Sequence, residues 1–78
     1  MIQKGCWCRI YESKVPLLKQ YFKGLDLQGR IYIRFYSTDK FLRCQISGND
    51  IGFHSMEVDA ATAEEIRHYF PFIKVYYK

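Results

Sequence analysis

Core-type residues, aliphatic side chains with Cys, Phe35 and Tyr77, fall at every second position in four stretches of this chain, residues 6–11, 31–36, 41–46 and 72–78. A period of two predicts strands, because successive side chains leave a strand on opposite sides. One side collects Cys6, Cys8, Ile10, Ile31, Ile33, Phe35, Leu42, Cys44, Ile46, Ile73, Val75 and Tyr77. The other collects Trp7, Arg9, Tyr11, Tyr32, Arg34, Tyr36, Phe41, Arg43, Lys74, Tyr76 and Lys78. The first set reads as a core and the second as a platform of rings and cations.

Between these strands the period changes. Ser13 is placed as a helix N-cap, with Pro16 in the first turn, where its missing N–H costs nothing. Val15, Leu18 and Phe22 then form a helical stripe, and Gly24 suits the left-handed position that ends it. A turn is expected at residues 37–40 and another at 47–50, where Ser-Gly-Asn-Asp is a strong turn signal. Residues 51–58 predict a further strand whose phase breaks between Phe53 and Met56, which a bulge or a bent edge strand would explain. Asp59 or Thr62 caps a second helix carrying Ala63, Ile66 and Phe70, and Pro71 ends it.

The resulting order is β-α-β-β-(β)-α-β. It predicts an α+β fold, an antiparallel sheet of four to five strands with two helices on one face. A ferredoxin-like sandwich is the expected arrangement, with the aromatic and cationic face left bare.

Length sharpens this picture. The 78 residues make one small compact domain spanning 1–78, and a chain of this size buries roughly 60–65% of its unfolded surface. An aromatic content of 18% supplies the large side chains that so small a core needs. The residues that open the chain lack a signal-like apolar run and no stretch is long enough to span a membrane. Three cysteines, two of them one residue apart, suit reduced thiols better than a disulfide framework. A cytoplasmic protein is expected.

The net charge of +4 is unevenly spread. Residues 1–43 hold nine cations against three carboxylates, whereas residues 44–78 hold three cations against five. Such a field steers anionic partners, nucleic acid or an acidic protein surface, towards one side.

The chemistry-bearing residues exclude more than they assign. Cys6, Cys8 and Cys44, with His54 or His68, have the elements of a zinc site, but Cys-x-Cys on a strand splays the sulfurs apart. Core filling is the better reading, and no metal or cofactor is expected. Ser55 and His54 are neighbours on a strand and point apart, so they do not form a nucleophile–base pair. No phosphate-binding glycine loop or nucleophile elbow occurs, and catalysis is not expected.

What remains is the platform, Trp7, Arg9, Tyr11, Tyr32, Arg34, Tyr36, Phe41, Arg43, Lys74 and Tyr76. Rings that stack on bases and cations that meet phosphates describe a binder of single-stranded RNA or DNA. The Lys/Arg-Gly-aromatic-Gly/Ala-aromatic pattern of the RNA-recognition motif is absent from the third strand. Tyr, Trp and Arg are also the residues of protein interfaces. The alternative is therefore a compact protein-binding inhibitor or adaptor, such as a mobile-element-encoded inhibitor of a bacterial defence complex. A homodimer through the same face is a variant of that alternative.

Overall fold

A computed structural model describes residues 7–77. Five strands form one sheet: β1 (Cys8–Ile10), β2 (Ile31–Ser37), β3 (Leu42–Gly48), β4 (Gly52–Glu57) and β5 (Val75–Tyr77). Two helices accompany it, α1 (Val15–Lys19), preceded by a turn of 3₁₀ helix at Glu12–Lys14, and α2 (Ala60–Tyr69). The fold is α+β, as the alternation predicts.

The hairpins set the register. β2 pairs β3 antiparallel from Ile31↔Gly48 to Ser37↔Leu42, and β3 pairs β4 antiparallel from Arg43↔Glu57 to Gly48↔Gly52. The other side of β2 is shared by two short strands lying end to end. β1 runs antiparallel against Ile31, Tyr32 and Ile33, and β5 runs parallel against Phe35, Tyr36 and Ser37. The ferredoxin-like order is not confirmed. There the third strand lies beside the first, whereas the ladder described for β1 is with β2.

The core follows the alternation. Ile10, Ile31, Ile33, Phe35, Cys44 and Ile46 point inward from the sheet and are buried in one cluster with Val15 and Leu18 of α1 and Ala63 and Ile66 of α2. Phe22, Leu27, Phe70 and Ile73 complete it from the connections. The helices therefore lie over the inward face. Each fully buried side chain of this size contributes roughly 1.5–3 kcal/mol, so Phe35 and Phe70, both fully buried, dominate so small a core.

α2 starts where Asp59 leaves extended backbone and its carboxylate accepts the Thr62 N–H at 2.8 Å, which settles the capping residue. That hydrogen bond holds the Asp59 carboxyl below its ordinary range.

Four expected details differ. α1 ends at Lys19, not Phe22, because the chain tightens into i→i+3 bonds from Tyr21 to Leu18 and Phe22 to Lys19. These turns still bury Phe22, and Gly24 does not adopt a left-handed conformation. β4 has no phase-shifting bulge: Ile51 belongs to the turn, and Gly52, at φ 75°, closes a three-residue connection. The strand proper then pairs one-to-one with β3. Tyr77, expected in the core, is 74% exposed, because β5 is short and the helix layer does not extend over its end. Cys6, expected on the first strand, and Lys78, expected on the last, lie outside the described residues.

No helix among the described residues is long and apolar enough to cross a membrane.

Candidate functional site

The sheet face opposite the helices is built in rows by the register. Arg9, Tyr32, Ser47 and Phe53 form one row across β1, β2, β3 and β4. Arg34, Gln45 and Ser55 form the next, with Trp7 one residue before β1. Tyr76, Tyr36, Arg43 and Glu57 form the third. Glu57 is the only carboxylate that the described strand residues place on this face.

Arg34 sits at the centre. Its guanidinium carbon lies 4.5 Å from the Trp7 ring centre and 4.9 Å from that of Tyr76. Tyr76 in turn stacks on Tyr36 at 5.7 Å, while Phe53 meets Trp7 edge-on at 6.2 Å. The Arg34 Nε–H donates to Gln45 Oε1 at 2.7 Å, and Gln45 is the buried polar side chain of the sheet. One cation of β2 thus links the residue that leads into β1 with β3 and β5. Guanidinium suits this place because it is flat, permanently charged and weakly hydrated.

Arg43 is held differently. Its Nε–H donates to Ser55 Oγ at 2.8 Å and its Nη2 to the Ser55 carbonyl at 3.0 Å. The Phe41 ring lies 5.7 Å from its guanidinium carbon.

The structure places the expected residues unequally. Trp7, Tyr32, Arg34, Tyr36, Arg43 and Tyr76 come together on the face. Arg9 is exposed at its edge, and its guanidinium carbon lies 5.8 Å from the ring of Tyr11, which is past the end of β1 and 65% exposed. Phe41 stands at the hairpin end, just before β3. Lys74 is exposed; its carbonyl accepts the Phe35 N–H, which ties the approach of β5 to β2.

Five members of the face escaped the sequence pattern: Gln45, Ser47, Phe53, Ser55 and Glu57. Gln45 lies two residues beyond Arg43, in the same phase, and that spacing was a usable signal. Phe53 and Ser55 required the β3–β4 register. Arg30 also joins Arg9, Ile10, Glu12 and Gly29 around a cavity of about 240 Å³ beside β1, so the positive edge turns the corner of the sheet.

The two described cysteines, Cys8 and Cys44, do not converge. Cys8 lies on β1 and Cys44 on β3, with β2 between them. The Cys8 thiol donates to the Phe72 carbonyl at 3.1 Å, and burial pushes the Cys44 thiol up to about 12. Among the described residues no group of three or more His, Cys, Asp or Glu side chains could hold a metal ion. His54 Nε2 contacts the Ile51 carbonyl at 2.8 Å on the core side, while Ser55 Oγ is engaged by Arg43 on the other.

Neither a family model, nor a curated protein, nor a solved structure matches this chain.

Proposed function

We propose that this protein is a non-enzymatic binding module that takes single-stranded RNA or DNA on its helix-free sheet face. The observation that carries the reading is the arrangement of Arg9, Tyr32, Arg34, Tyr36, Arg43 and Tyr76 on that one face, where Glu57 is the single carboxylate among the described strand residues. Exposed ring surface at Tyr76 and Phe53 offers stacking sites, each worth roughly 1–3 kcal/mol per base. Arg9 and Lys74, both exposed, are the phosphate contacts of this scheme, since Arg34 and Arg43 already serve neighbours. The buried Cys44 thiol suits a reducing, cytoplasmic setting.

A titration of Trp7 fluorescence with mixed-sequence single strands at two salt concentrations tests the proposal. Binding should quench Trp7 and weaken with salt, each neutralised phosphate adding about −0.7 to the log–log slope. Arg9→Glu with Lys74→Glu should abolish the quenching in a folded protein. Unchanged affinity in that variant would remove the reading.

A second reading has its own support. Trp7 and Tyr76 both spend ring surface on Arg34, which leaves less for bases and more the look of a pre-packed protein-binding face. On this reading the protein is a compact inhibitor or adaptor that meets an acidic protein surface. A nuclease-insensitive partner recovered by the wild type, and lost with Arg9→Glu and Lys74→Glu, would favour it.

A further inference from the structure

The two edges of the sheet are unlike. One consists, among the described residues, of β1 and β5, three residues each, and edges this short give a foreign strand little to pair with. The other is β4, six residues long, with no Lys, Arg or Pro and a one-to-one register along its whole length. Natural sheets often guard a free edge with Lys, Pro, bulges or a very short strand, none of which β4 has.

The ladder shows which backbone groups β4 presents. The Val58 N–H donates to the Leu42 carbonyl at 3.0 Å, so Met56, His54 and Gly52, in the same phase, direct their groups towards β3. Phe53, Ser55 and Glu57 therefore direct their N–H and C=O groups away from the sheet. This outward set is centred on Ser55.

We propose that β4 pairs antiparallel with β4 of a second copy of this chain, about a two-fold axis through Ser55. In this register Ser55 faces Ser55, and Phe53 faces Glu57 of the second copy. Every outward group of β4 then meets an outward group of β4, whereas a two-fold centred on His54 would set Glu57 opposite Ile51 of the turn. The only charge on β4, Glu57, lies opposite a ring, and the two Glu57 side chains stand roughly 14 Å apart along the strands. Self-pairing is thus free of like-charge opposition, and the interface is isologous. Arg43 is compatible with it: its Nη2 uses one lone pair of the Ser55 carbonyl, and the oxygen has a second.

Residues opposite each other in a ladder point to the same side. The pairing would therefore join the two helix-free faces into one continuous surface, whatever that surface binds.

Mass by light scattering over a wide concentration range, together with site-resolved amide exchange, tests the proposal. The wild type should show twice the chain mass, with the Phe53, Ser55 and Glu57 amides protected. Ser55→Lys sets two cations against each other at the axis and should give a folded monomer in which those three amides exchange freely. Ser55→Ala, which loses only the hydroxyl held by Arg43, should remain a dimer. A wild type that stays monomeric at the highest concentration would overturn the pairing. So would a dimer whose Phe53, Ser55 and Glu57 amides are unprotected, a reading that needs no variant to fold.

Discussion

Replacing Arg34 with Met should unfold this protein more readily than any other single change on the helix-free face. Met keeps most of the aliphatic stem but removes the planar cation from between Trp7 and Tyr76. Two cation–π contacts at a half-buried site are together worth about 1–2 kcal/mol. The lost Nε–H also leaves Gln45 Oε1 without its donor at a buried position, which costs about 1–3 kcal/mol. The sum is about 2–5 kcal/mol. A chain of this length has a total stability of about 4–12 kcal/mol, so the variant should lose a large share of it.

Urea denaturation followed by far-UV circular dichroism and by Trp7 fluorescence measures the loss. Arg34→Lys should lose about half as much, because it keeps a cation but not the flat fork. Adding Gln45→Leu to Arg34→Met should restore part of the stability, since it removes the orphaned amide. A loss below about 0.5 kcal/mol for Arg34→Met would refute the reasoning. Arg34 would then be a solvated cation, and its place in a phosphate-binding scheme would be restored.

Other perturbations probe other parts of the fold. Asp59→Ala removes the cap of α2 and should lower Tm by about 5 °C in a thermal melt. Because the folded Asp59 carboxyl is held low, its stabilisation is present above the ordinary Asp range and fades as pH falls through the lowered value. Asp59→Ala should flatten that acid limb. Burial, followed by the hydrogen bond to Glu65, pushes the Tyr21 hydroxyl up to about 12 from 10.0. The contribution of Tyr21 should thus be intact below pH 10 and vanish as pH rises through 12, while Tyr21→Phe shows no such loss in alkaline denaturation curves. Gly48→Ala would set a Cβ 2.9 Å from the Arg30 backbone oxygen and should cost about 1–3 kcal/mol, measured by urea denaturation.

Much of the sheet was legible before any coordinates. Alternation at Ile31, Tyr32, Ile33, Arg34 and Phe35 separates core from platform, because the pleat turns every second side chain to the same side. The capping carboxylate and the Ala63, Ile66 and Phe70 spacing announce α2 through backbone chemistry that acts within one turn. These are local effects, and local effects can be read along a chain.

Which strands become neighbours is not local. β1 beside β2, with β5 continuing the same edge, depends on closing loops and on how the helices cover the core. The same cause exposes Tyr77 despite its inward phase and shortens α1 into turns that seat Phe22. The centre of the candidate site is likewise a tertiary product. Trp7, Arg34, Gln45 and Tyr76 come from four separate segments, and only the packed sheet brings one guanidinium within reach of two rings and a buried amide. The sequence by itself determined a face of rings and cations. The tertiary structure decided that its central cation is held by its own neighbours, because planar stacking and a desolvated hydrogen bond hold it more firmly than water does.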